Sequence, residues 1–189
     1  AVSLDKMKDV SKTARKNNLS IHLDGARFFN AVTALNCKPE ELANCADSVS
    51  VCLSKGLGTP LGTVLVGSSK FIRKARRNRK ILGGSMRQVG IVAAAGHYAL
   101  DNNISRLVED HNRAEFFANE LREMNIGHVD SGTNMVFFTP NDGRAENLRL
   151  HLEKYGVKIG DQHPSIRMVL HRDVSDEGLD KAIAGFKSF

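Results

Sequence analysis

Leu4, Met7, Val10 and Ala14 recur at helical spacing, so residues 4–17 are expected to form an amphipathic helix closed by Asn17-Asn18. A short apolar run, "LSIHLDGA", follows as a strand that emits Asp24 and Gly25 at its end. "FFNAVTAL" (28–35) reads as helix, and Pro39 with Glu40-Glu41 suits the opening turn of another. The β-branched alternation of "SVSVCLS" predicts a strand over 48–54, and "GTVLVG" (62–67) predicts a second, joined through the Gly56–Pro60 turn as a hairpin. A basic helix over 69–80 and a glycine-broken loop over 82–88 come next. From "VGIVAAAGHYAL" onward a long helix with small residues for close packing continues on a more polar pattern through 104–123.

The order of elements changes near Asp101-Asn102-Asn103. Beyond it the pattern predicts strands near 126–130 and 133–139, a helix at 144–155, strands near 157–160 and 165–171, and a helix at 176–187. That is a small α+β unit. The region before it offers three strands, a thin sheet for an α/β domain, and reads as part of a domain whose other strands lie elsewhere.

Composition adds little to this picture, but charge adds a question. The 189 residues are 41% hydrophobic and 25% charged, ordinary for a globular protein, and no run of about 18 apolar residues predicts a membrane span. The first residues lack the layout of a signal peptide, and three cysteines (Cys37, Cys45, Cys52) form neither a disulfide framework nor a metal-ligand pattern. A reducing, cytoplasmic setting is expected. The net charge of +6 concentrates in "KFIRKARRNRK" (70–80), where seven of eleven residues are basic. Arg73, Arg76, Arg77 and Lys80 fall on neighbouring turns, a face able to read phosphate, but no aromatic residues interleave for base stacking. An anionic small molecule is the expected partner rather than nucleic acid.

Two strand ends carry the candidate chemistry: Asp24 in "HLDGAR" and Lys55 in "LSKGLG". Ligands of open α/β sheets sit at the carboxyl ends of strands. A lysine there can form a Schiff base with a carbonyl, and a carboxylate there can hold a ring nitrogen protonated. Arg27 could orient a neighbouring oxygen, Ser54 could donate to a phosphate, and Gly56 and Gly58 permit close backbone approach. From the residues alone, Asp24 reads better as a cap or turn residue, and Lys55 reads better as a strand-end lysine reaching water. His97, within an apolar helix, reads as packed or at an interface. His111, His128 and His151 read as solvated, and His163 and His171 bracket Arg167 as substrate-side candidates.

"IHLDGARFFNA", "DSVSVCLSKGLGTPLGTVLVGS", "ILGGSMRQVGIVAAAGHYAL" and "TNMVFF", in that order, resemble the low-specificity L-threonine aldolase family of pyridoxal 5'-phosphate enzymes. The resemblance implies an α/β, aspartate-aminotransferase-like fold of type I, with residues 1–103 the C-terminal portion of the large cofactor domain and 104–189 a small α+β domain. It implies that Lys55 carries the cofactor, that Asp24 meets the pyridine nitrogen, and that Arg27 lies near the phenolic oxygen. Lys80 and Arg87 match basic residues that approach a neighbouring subunit's site, and Arg167 matches the arginine gripping the substrate carboxylate, a role suited to the guanidinium fork. The implied reaction is cleavage of a β-hydroxy-α-amino acid, such as threonine, to glycine and an aldehyde. Alternatives are another lyase reaction, β-elimination above all, or an inactive fragment. Family members carry about another half-chain before this segment, supplying the phosphate-binding turn and acid–base histidines. A homo-oligomer (a dimer of dimers) or a companion N-terminal chain is therefore expected.

Overall fold

Local signals place the first elements. The structure is a computed structural model that describes residues 1–160 and 165–189, and its contacts divide the chain into two units, Ala1–Leu107 and Val108–Phe189. In the first, helix α1 (Leu4–Lys16) starts where the Ser3 hydroxyl accepts from the Lys6 N–H, with Asp5 in its first turn and Arg15 and Lys16 in its last. Those charges oppose the partial charges of the helix ends. Strand β1 (His22–Gly25) leads into α2 (Phe28–Leu35), which stops at Asn36 in the left-handed region, and α3 (Pro39–Ala43) opens on its proline. Strand β2 (Ser48–Cys52) lies parallel to β1, pairing Leu23 with Val49 and Asp24 with Ser50. Strand β3 (Thr63–Gly67) returns antiparallel, with Val51 opposite Val64.

The sheet order is β1-β2-β3. Val49 and Val51 of β2 are buried with Phe28, Val32 and Leu42, while Leu4 and Met7 of α1 pack partly against them. By contrast, all of β3 from Thr63 to Val66 is exposed, although its sequence is as apolar as that of β2. Helices α4 (Ser69–Ile81) and α5 (Gly90–Asn102) follow, and α4 buries no residue.

In the second unit, α6 (Leu107–Met124) precedes β4 (Gly127–Gly132), β5 (Met135–Pro140), α7 (Ala145–Glu153), β6 (Ile166–Val169) and α8 (Asp176–Lys187). Its antiparallel sheet has the order β4-β5-β6. Alternation along β5 buries Val136 and Phe138, and Phe186 of α8 meets both Phe138 and Phe117 edge-on at 5.4 and 5.8 Å. Leu121, Leu148 and Leu152 are fully buried beside them. Each such side chain contributes about 1.5–3 kcal/mol by leaving water.

Several expectations need correcting. The long helix from residue 89 onward is interrupted over 103–106, between α5 and α6. Residues 157–160 form no strand: Gly156 takes a φ of 72°, and the Val157 N–H turns back to the Leu152 carbonyl at 3.1 Å to close α7. His151 is not simply solvated, since its Nε2 lies 2.9 Å from Ser188 Oγ and 3.1 Å from the Gly185 carbonyl. His97 is exposed within its unit rather than packed, His128 is exposed as expected, and His111 is half-buried. Burial holds the His111 imidazole below its usual value against the opposing pull of Asp110.

Candidate active site

Parallel pairing of β1 and β2 puts the carboxyl ends of both strands on one edge of the first sheet. Asp24 leaves that edge from β1 and is exposed, with its Oδ1 accepting from the Ala26 N–H at 3.1 Å. This local turn satisfies the bland reading of Asp24 and leaves the carboxylate at the surface. Half-buried Arg27 occupies the N-cap of α2, and together they line a cavity of about 210 Å³ walled by Met7, Leu23, Phe28 and Leu42.

Five residues beyond Ser50, the register partner of Asp24, the chain presents Lys55. Leu53 and Leu57 are 6% and 3% exposed, whereas Ser54 and Lys55 between them face solvent. The strand end is thus buried through its leucines, and the amine keeps its hydration. The turn is closed by the Gly58 N–H donating to the Lys55 carbonyl at 2.8 Å, with Gly58 at a φ of 73° that favours glycine. Leu53 N–H donates to the Gly62 carbonyl at 2.9 Å and Thr59 Oγ1 to the Leu61 carbonyl at 3.0 Å, which stiffens the return into β3. Gly56 is pressed against buried Asn30: a Cβ there would stand 2.8 Å from Asn30 Oδ1.

The remaining candidates belong to other elements. Lys80 stands exposed in the last turn of α4, and Arg87 is exposed in the segment between α4 and α5. Arg167 belongs to the second unit, where it pairs with Phe137 across β5 and β6, is exposed, and borders an apolar cavity of about 260 Å³ with Met168, Leu179 and Phe186. Lys55 lines neither of these two cavities. His171 Nδ1 lies 3.6 Å from Asp173 Oδ2, and His163 falls outside the described residues. Sequence reasoning passed over Asn30, Asn103 and Asn134, all buried polar residues. Nothing in their spacing marks them, because each acts through a contact distant in sequence.

An amine, a carboxylate and a hydroxyl, exposed around the ends of two adjacent parallel strands and backed by glycines, fit an aromatic carbonyl cofactor bearing a phosphate. Lys55 is the group able to bond its carbonyl, Asp24 to meet a ring nitrogen, and Ser54 to donate to phosphate. Among the described residues no cluster of His, Cys, Asp and Glu could hold a metal ion.

Known proteins match along the whole chain. The low specificity L-threonine aldolase of Escherichia coli K12 is 44% identical over 183 residues, covering 97% of this chain and 55% of that protein. Low-specificity L-threonine aldolase 1 of Arabidopsis thaliana is 40% identical, covering 98% of this chain and 54% of its own length. The chain therefore spans about half the length of these curated relatives. Among solved structures, a putative L-allo-threonine aldolase from Listeria monocytogenes superposes with a TM-score of 0.83 at 18% identity, covering 100% of this chain and 57% of that one. An N-acetylornithine aminotransferase from Stenotrophomonas maltophilia superposes at 0.68. These likenesses bear out the aspartate-aminotransferase-like α/β fold. The family described as beta-eliminating lyase matches residues 1–142, and the chain belongs to that family.

Proposed function

We propose that the protein is a pyridoxal 5'-phosphate-dependent carbon–carbon lyase that cleaves threonine and related β-hydroxy-α-amino acids to glycine and an aldehyde. The observation that carries this reading is the exposed Lys55, held on a pinned turn after β2, while Asp24 stands at the end of β1, the parallel neighbour of β2. The names of the relatives that match nearly the whole chain support the substrate class.

When bound, the cofactor supplies an electron-withdrawing ring in conjugation with the substrate nitrogen. Lys55 would hold it through its amine, the group able to bond the cofactor's carbonyl carbon. Asp24 would accept a hydrogen bond from the ring nitrogen and keep it protonated, Arg27 would orient the phenolic oxygen, and Ser54 would donate to the phosphate. Arg167 binds the substrate carboxylate through paired N–H groups. The β-hydroxyl loses its proton, its oxygen becomes the aldehyde carbonyl, the Cα–Cβ bond breaks, and Cα takes up a proton to give glycine.

Lys80 and Arg87, exposed and cationic, serve the site of a neighbouring subunit in a homo-oligomer, a dimer of dimers. The first unit is the C-terminal portion of a larger cofactor domain, and the second is the small domain. Preceding chain, or a companion chain, completes the sheet and supplies the acid–base group. Unbridged Cys37, Cys45 and Cys52 support a cytoplasmic location.

The test uses the complete protein. Cofactor absorbance near the visible edge and release of glycine with acetaldehyde from threonine are expected. Lys55→Ala should abolish both, and survival of the absorbance in that variant overturns the assignment. A second reading, β-elimination, is favoured by the description of the matching family. Pyruvate and ammonia from serine, in place of glycine and acetaldehyde, would establish it.

A further inference from the structure

Asn103 falls where the sequence pattern marks a change of domain, yet it is only 6% exposed. Its Nδ2 donates to the Leu57 carbonyl at 2.7 Å, across 46 residues of sequence. Its backbone N–H donates to the Ala99 carbonyl at 2.9 Å, so the residue closing α5 is itself fixed. Leu53, Leu57, Ala99 and Leu107 form one buried cluster around this contact.

Leu57 stands two residues beyond Lys55 and belongs to the turn closed by the Gly58-to-Lys55 hydrogen bond. Upstream, the chain is held where Leu53 donates to Gly62. Downstream, it is held where Leu57 accepts from Asn103. A carbonyl on a residue this buried needs a protein donor, and the carboxamide provides one with the reach to cross from the helix end. An aspartate of the same shape would offer only acceptors. Asn102, one position earlier, behaves differently: it is exposed and its Nδ2 donates within its own helix to the Tyr98 carbonyl at 2.8 Å.

We propose that Asn103 is a positioning residue that holds the Lys55 turn in the conformation from which the Lys55 amine meets the cofactor carbonyl. The inference rests on the covalent role proposed for Lys55. Loss of the amide donor frees the Leu57 carbonyl to seek another partner, and the turn carrying Lys55 shifts with it. The effect belongs to cofactor attachment before it belongs to turnover.

The experiment compares wild type, Asn103→Ala, Asn103→Asp, Asn102→Ala and Lys55→Ala in the complete protein loaded with pyridoxal 5'-phosphate. Three quantities are read: the cofactor dissociation constant, the fraction of Lys55-containing peptide labelled after borohydride reduction, and the pH midpoint of the cofactor absorbance. Both Asn103 variants are expected to raise the dissociation constant at least tenfold, lower the labelled fraction and move the midpoint. Asn102→Ala should match wild type in all three. A merely structural role would lower the melting temperature of the cofactor-free protein while leaving the midpoint of the folded fraction unchanged, and that result overturns the proposal. So does failure of both Asn103 variants to fold, because the residue would then serve the unit rather than the turn. If Lys55→Ala retains wild-type labelling and absorbance, the covalent role itself fails. If it loses both while the Asn103 variants match wild type, only the positioning role fails.

Discussion

A lysine at the end of an apolar strand is costly only if its amine follows the strand into the core. Here Leu53 and Leu57 take the buried positions and Lys55 stays hydrated, so an exposed amine and a well-packed loop coexist within five residues. The loop has no slack, however. A Cβ on Gly56 would meet Asn30 Oδ1 at 2.8 Å and Leu107 Cδ2 at 3.0 Å, and Asn30 is 2% exposed, with little room to withdraw. Gly56→Ala is accordingly expected to weaken cofactor binding by an order of magnitude or more, as equilibrium titration of the complete protein can show. In the second unit, Asn134 forms two hydrogen bonds with the Leu170 backbone: its backbone carbonyl accepts from the Leu170 N–H and its side-chain Nδ2 donates to the Leu170 carbonyl, each at 2.8 Å. Strand β6 has only four residues, and a slip of one would turn Arg167 from the exposed face toward the core. Asn134→Ala should cost about 1–3 kcal/mol in denaturant unfolding, the penalty for a buried carbonyl left unmatched.

Between elements, α6 and β4 share the apolar cluster through Leu121 and Val129, and a polar network joins them beside it. Arg122 reaches Glu115 Oε1 at 2.8 Å and Ser131 Oγ at 2.9 Å, and the Ser131 hydroxyl donates to Glu115 Oε2 at 2.7 Å. The hydroxyl first, and the guanidinium second, pull the Glu115 carboxyl below its ordinary value of 4.5. A carboxyl depressed in the folded state binds fewer protons there than in the unfolded chain. Its contribution is therefore complete above 4.5 and is lost as pH falls through the lower folded value. Solvent screens this network, so the effect is less than about 1 kcal/mol. Unfolding curves of wild type and Glu115→Gln should differ at neutral pH and converge as the medium is acidified below that range.

Across the whole molecule, apolar surface remains uncovered in the first unit. Ile81, Leu82, Met86, Val89, Ile91 and Tyr98 are each more than half exposed, and β3 is exposed along its length. Among the described residues neither β1 nor β3 has a further strand on its outer side. Open edges and apolar patches of this kind favour association. Residues 1–189 produced alone are expected to bind a hydrophobic dye and to self-associate with rising concentration, as sedimentation would record. The complete protein should show neither dye binding of that strength nor open-ended association. In α4, which has no buried residue despite an amphipathic pattern, Phe71 lies against Gly67 at the end of β3.

Local physics determined most elements from the sequence alone. The helices at 28–35, 39–43 and 176–187 follow from apolar spacing, caps and proline placement, and the strands around Val49, Val64 and Phe138 follow from alternation. The placing of Asp24 and Lys55 at or just beyond strand ends was legible too, because strand termination is a local property. The sequence could not decide which of two equally apolar strands is buried, since burial depends on what lies opposite: β2 has α1, α2 and α3 beside it, and β3 is exposed. Nor could it foresee that residues 157–160 would close a helix rather than form a strand. Asn103 makes the same point. Its neighbours in sequence read as a change of domain, and only the tertiary fold, by bringing the end of α5 to the turn after β2, makes its amide the partner of the Leu57 carbonyl. Contacts across 46 residues carry no local signature, so the groups that hold Lys55 in place emerge only when the chain has folded.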